Sequence, residues 1–147
     1  MVVADRQTAG RGRGTNRWWT GDGSLAFTLL LSAERGDVSR PDLKSLIALA
    51  AGVAVAEVLV PLVPETQIGI HWPNDVMAGQ GKLAGILIEV LPDGQRVIGV
   101  GINTNNRAAD APAELRPFVA TLLDLTGRRY EPTELLVGIL QRMEARL

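Results

Sequence analysis

The sequence predicts one domain in which strands and helices share a single core, and three observations carry that reading. Strand-length apolar runs occur in both halves of the chain, a long stretch of three- and four-residue apolar spacing lies between them, and two runs are joined by a turn too short for a parallel crossover. The 147 residues suit one domain, and 46% hydrophobic with 21% charged residues is an ordinary globular composition. A formal net charge of -1 argues against a partner held by bulk charge, such as nucleic acid. The chain has no cysteine, which excludes disulfides, thiolate metal sites and a cysteine nucleophile and fits a reducing, cytoplasmic setting. No apolar stretch reads as long enough to span a bilayer, and Met1 to Arg6 lacks the basic start and apolar middle of a signal peptide, so a soluble protein is expected.

Taken in order, Val2 to Asp5 reads as a strand, and a polar, glycine-rich loop follows to Gly23. Ser24 to Leu31 is nearly all apolar and is expected as a strand buried on both faces. Ser39, Pro41 and Asp42 give a cap and first-turn signature for one long amphipathic helix carrying Leu43, Leu46, Ile47, Ala50, Ala54 and Val58, which ends at Pro61 and Pro64. Gln67 to Trp72 is a short strand stopped by Pro73, and Pro73-Asn74-Asp75 reads as a turn. Lys82 to Val90 and Gln95 to Asn103, joined through Leu91-Pro92-Asp93-Gly94, form the antiparallel hairpin. The tail is expected to be helical from Leu115 to Leu125, ending at Gly127, and again from Thr133 to Leu147 behind Pro132.

The most informative segment is Gly10-Arg11-Gly12-Arg13-Gly14. With Arg6 and Arg17 it places four arginines in the first seventeen residues. Glycines let main-chain N–H groups approach an anion closely, and each guanidinium offers a planar donor fork to phosphate or carboxylate oxygens. Alone, the run fits a flexible Arg/Gly segment that binds RNA, or a solvated turn, as well as it fits a built anion site. Lys82 is one of only two lysines, the other being Lys44, and it opens an apolar strand where a compact ammonium can meet reacting oxygens. Asn103 ends the last strand, where its amide can cap the chain or reach a ligand. Gly99 and Gly101 permit close backbone approach.

Four motifs occur in order: Gly10-Arg11-Gly12-Arg13, His71-Trp72-Pro73-Asn74-Asp75-Val76, Lys82-Leu83-Ala84-Gly85-Ile86-Leu87-Ile88-Glu89 and Gly99-Val100-Gly101-Ile102-Asn103. Together they resemble the catalytic domain of the biotin protein ligases, and the likeness reaches Ala120-Thr121-Leu122 and Thr126-Gly127 in the tail. The resemblance implies an α+β fold of the class II aminoacyl-tRNA synthetase type, a mixed, mostly antiparallel sheet with packed helices. It implies ATP-dependent activation of biotin to biotinyl-5′-AMP and transfer to a lysine of a biotin carboxyl carrier domain, with Mg²⁺ accompanying ATP. By the same likeness Gln7, Gly10, Arg11, Gly12, Arg13, Lys82 and Gly85 face biotin, while Arg13, Trp18, Asn74, Asp75 and Asn103 face the nucleotide. Arg13, Lys82 and Asp75 would then carry the chemistry, Asp75 accepting a proton from the acceptor lysine or helping to hold the metal. A lipoate ligase uses the same adenylate chemistry, and a homologue that binds without turnover is a third reading.

Three departures from the family pattern stand out. His71 replaces a lysine common before the Trp-Pro-Asn-Asp run, and Gly14-Thr15-Asn16 replaces further arginine and glycine in the loop. The Ser/Thr-Thr-Asn segment that precedes the first strand in the family is not in this sequence, nor are a winged helix or a C-terminal β-barrel, so residues 1 to 147 are expected to be one catalytic domain without DNA-binding parts. Family members often pair through the sheet, which makes a homodimer a further expectation.

Overall fold

The computed structural model describes residues 1–32 and 43–147. Its centre is a six-stranded sheet in the order β1-β2-β6-β5-β4-β3, with every neighbouring pair antiparallel. The strands are β1 Val2–Ala4, β2 Leu25–Leu31, β3 Ile68–His71, β4 Asp75–Ala78, β5 Gly81–Val90 and β6 Arg96–Ile102. The expected mixture of pairings reduces, among the described residues, to one parallel bridge between Lys82 and Val119. The hairpin of β5 and β6 forms as expected, with Gly94 at φ 86 supplying the left-handed turn residue.

Among the described residues three α-helices accompany the sheet: α1 Leu43–Leu59, α2 Leu122–Thr126 and α3 Pro132–Glu144. Helix α1 packs on β3, β4 and β5, and α3 packs on α1. Ile47, Ala51, Ala54, Val55 and Leu59 of α1 meet Val76, Ile86, Ile98, Val100 and Ile102 of the sheet in one buried cluster. Each large aliphatic side chain so buried contributes about 1.5–3 kcal/mol. The cap signature at Ser39, Pro41 and Asp42 lies outside the described residues.

Several expectations are corrected. Leu43–Leu62 is 20 residues long with mean hydropathy 2.2, so by length and composition a segment of this chain does reach what a bilayer span needs. In the fold this helix fills the central core position. Strand β2 is not buried on both faces along its length: Leu25, Ala26 and Phe27 are covered, but Leu30 is 56% exposed. A further strand, β4, follows the turn at 72–74 directly, so Asp75 begins a strand instead of ending a turn. The helix expected over Leu115 to Leu125 is broken into a 3-10 turn at Arg116–Phe118, an extended stretch, and α2. The break has a cause: the Ala120 N–H donates to the Lys82 carbonyl at 3.1 Å, and the Thr121 hydroxyl accepts from the Asp124 N–H at 2.9 Å to cap α2.

Candidate active site

Strand alternation gives the two faces of the sheet different residues. The face turned from the helices carries one straight cross-strand row, Ala4, Ala26, Gly101, Gly85, Asp75 and His71, each the register partner of the next. Four successive strands therefore present a floor with almost no side chain, and the fifth and sixth present a carboxylate and an imidazole. All six residues line a cleft of about 570 Å³.

Lys82 reaches this cleft because of a β-bulge. The β4–β5 register slips between Val76 and Met77, so Val76 pairs with Ala84 and Met77 with Lys82. Without the slip, Lys82 would share the helix-covered face with Ala84 and Ile86; with it, Leu83 is fully buried and Lys82 turns into the cleft. Its Nζ lies 2.7 Å from Asp75 Oδ1, with side chains 32% and 20% exposed. Asp75 Oδ1 accepts no aligned hydrogen bond, so the contact is a close ion pair. The same ammonium lies 5.3 Å from the Trp18 ring centroid, within cation–π range.

The arginine run is a small folded hairpin. Arg11 bridges Arg17, the Gly12 N–H donates to Asn16 O at 2.9 Å, the Trp18 N–H donates to Gly10 O at 3.0 Å, and Gly14 turns the chain at φ 66. Arg11 is tied to the end of β5 by a forked contact with Glu89, 2.8 Å from Nη2 to Oε1 and 3.4 Å from Nη1 to Oε2. Glu89 is next to last in β5, where the only other charged side chain is Lys82. Arg13 makes no ion pair among the described residues and lines the cleft. The loop also borders a second hollow of about 510 Å³ on the helix side, where Lys44 stands.

The structure gathers Gln7, Arg11, Gly12, Arg13, Trp18, Asn74, Asp75, Lys82 and Gly85 around the cleft. Gln7 accepts from the Thr20 hydroxyl at 2.8 Å, and Asn74 Nδ2 donates to Ile86 O at 2.9 Å. Gly10 and Asn103 stand apart. Gly10 serves the loop, since a Cβ there would sit 2.3 Å from the Trp18 carbonyl oxygen. Asn103 is buried behind Lys82, its Nδ2 donating to the Lys82 carbonyl at 3.1 Å and its Oδ1 accepting from Asn106 Nδ2 at 3.1 Å. Its amide is engaged within the chain by these two bonds.

Such an arrangement, cations above a bare floor with a carboxylate at its end, can bring two anions together and stabilise charge growing between them. Residues 1–103 match the family model described as the biotin/lipoate A/B protein ligase family. The chain is 38% identical to the biotin--[acetyl-CoA-carboxylase] ligase of Mycobacterium tuberculosis over 149 residues, covering 100% of this chain and 53% of that protein. It is 35% identical to the bifunctional ligase/repressor BirA of Bacillus spizizenii, covering 99% of this chain and 45% of that protein. The structure of the biotin protein ligase from Aquifex aeolicus in complex with biotin and ATP superposes with a TM-score of 0.83 at 33% identity, covering 98% of this chain and 58% of that one. This chain thus spans about half the length of the curated relatives it matches. The α+β fold is the class II synthetase-like one that the motifs imply. The chain belongs to the biotin/lipoate A/B protein ligase family.

Proposed function

We propose that this chain carries the adenylation site of a biotin protein ligase, which activates biotin to biotinyl-5′-AMP with ATP and passes the biotinyl group to a lysine of a biotin carboxyl carrier domain. The observation that carries the reading is the Lys82–Asp75 pair, turned by a bulge onto the end of a side-chain-free floor beneath the arginine loop. Relatives named as biotin ligases, one of them bound to biotin and ATP, support biotin over lipoate.

In the first step a biotin carboxylate oxygen attacks the α-phosphate and pyrophosphate leaves. Lys82 and Arg13 offset the repulsion between the two anions and the charge that grows on the phosphate. The glycine floor admits the ring system, and Gln7 offers a polar edge to it. In the second step the acceptor amine attacks the mixed anhydride carbonyl and AMP leaves, with Asp75 placed to take the amine proton. Asn103 acts on the reaction through Lys82, by holding that residue's backbone. Mg²⁺ would enter this site bound to the phosphates of ATP and offset their charge there. The reaction is cytoplasmic, without DNA or membrane. The sheet edges at β1 and β3 are where a second copy would add strands to make a homodimer.

Incubation with biotin, Mg²⁺-ATP and a biotin carrier domain tests the reading. Pyrophosphate release together with a carrier mass increase of one biotinyl group is the expected result. Pyrophosphate without carrier labelling leaves the first half-reaction alone, and neither signal overturns the proposal in favour of a non-catalytic homologue.

A further inference from the structure

The residue that rests on the cleft floor is Trp18. A Cβ added at Gly101 would lie 2.5 Å from Trp18 Nε1 and 2.6 Å from Cε2; one added at Gly85 would lie 3.0 Å from Lys82 Cε and 3.2 Å from both Lys82 Nζ and Trp18 Cζ3. The indole therefore lies directly on the cross-strand pair Gly85–Gly101, using the space that the two missing side chains leave. Its Nε1 is buried there with no hydrogen-bond acceptor. That is an ill-satisfied position for a group that ordinarily finds a partner when covered. Its ring also lies 5.3 Å from the Lys82 ammonium, which is paired with Asp75 at 2.7 Å.

The main chain around Trp18 is held by bonds that do not involve the indole. The Trp18 N–H is bonded to Gly10 O, the Arg11–Arg17 bridge closes the hairpin beside it, and Arg11 is forked to Glu89. An indole mounted on such an anchor can leave the floor by rotating about its own side-chain bonds while the arginine loop stays in place.

We propose that Trp18 is a resident occupant of the ring slot, and that biotin binds by exchange with it. The inference rests on the adenylation reading, which supplies the ring that takes its place. Indole is a fused bicycle of about the size of biotin's own fused rings, and the floor of Ala26, Gly101 and Gly85 admits one such group at a time. When the indole withdraws, its N–H gains access to water or ligand, and the face of Lys82 that it covered turns to the incoming carboxylate. The exchange sets a threshold: a ring ligand has to outcompete the indole, so the apparent affinity falls by the fraction of time the slot is closed. A straight apolar chain, without a ring to cover both glycines, displaces it poorly.

Two measurements on the full chain test this. Calorimetric titration with biotin alone should show Trp18→Ala binding about threefold or more tighter than wild type, with Trp18→Phe between them, because a competitor has been removed. In a Trp19→Phe, Trp72→Phe chain, where Trp18 is the sole tryptophan and is excited selectively on the red side of tyrosine absorption, emission should shift to the red and acrylamide quenching should rise as biotin is added. Affinity that is unchanged or weaker in Trp18→Ala, or Trp18 emission that ignores bound biotin, overturns the exchange while leaving adenylation standing. Failure of both wild type and Trp18→Ala to bind biotin overturns the adenylation reading and the exchange with it.

Discussion

The two faces of the sheet are built from the same strands by opposite rules. Toward α1, residues such as Phe27, Ile86, Ile98, Val100 and Ile102 fill space completely. One residue along each strand, Ala26, Gly85, Gly99 and Gly101 withhold side chains and leave a cleft. The difference teaches that the site is made largely by omission, with its charged pair at one end and its arginines on the loop above. Stability and activity should therefore separate cleanly by face.

Lys82→Ala should have the largest effect on chemistry. Loss of a single preorganised donor to developing charge costs about 10²–10³ in rate, read as pyrophosphate release, with the melting temperature nearly unchanged. Ile98→Ala, on the helix side of the same sheet, should do the reverse. It should cost about 2–5 kcal/mol in urea unfolding, while the rate constant of the protein that remains folded stays near wild type. An Ile98→Ala variant that keeps its stability would break the division. Asn103→Ala falls between them. It removes the donor to the Lys82 carbonyl and orphans a buried partner, so it should lose about 1–3 kcal/mol of stability and also lower kcat, since Lys82 is no longer held. Glu89→Gln should be the mildest. Both side chains of the pair are well exposed, so stability should fall by less than about 1 kcal/mol. The expected effect is a few-fold rise in the KM for biotin from a looser loop, increasing as salt is added to wild type to screen the same pair.

The same contrast explains what could be read from the chain alone. Periodicity located β2, β3, β5, β6, α1 and α3, because packed faces leave a repeating apolar record. Strand β4 was missed because four residues after Pro73-Asn74 carry too short a record to stand against a strong turn signal. The helix expected from Leu115 failed because a tertiary bond, Ala120 N–H to the Lys82 carbonyl, outweighs local preference. Lys82, Asp75, Arg11 and Arg13, which lie in three separate motifs, line one cleft, yet the bulge that turns Lys82 into it is invisible in sequence: plain alternation points that residue to the core. A polar residue at a strand end looks free in the sequence of Asn103's surroundings, and its bonds to Lys82 and Asn106 are tertiary contacts that the sequence does not carry. The bare row across the strands belongs to no single motif, since it is assembled from residues between 4 and 101 by register alone.

That row is the centre of the account, and biotin titration of two glycine variants tests it most directly. A methyl at Gly101 projects into the ring slot, whereas one at Gly69 on β3 meets nothing within 4 Å and lies outside the cleft. Gly101→Ala should weaken biotin binding about tenfold or more, the scale of overpacking a fitted site, while Gly69→Ala binds as wild type and both chains unfold at similar urea concentrations. Equal, unchanged affinity in the two variants would contradict the claim that the side-chain-free row is the floor of the biotin site.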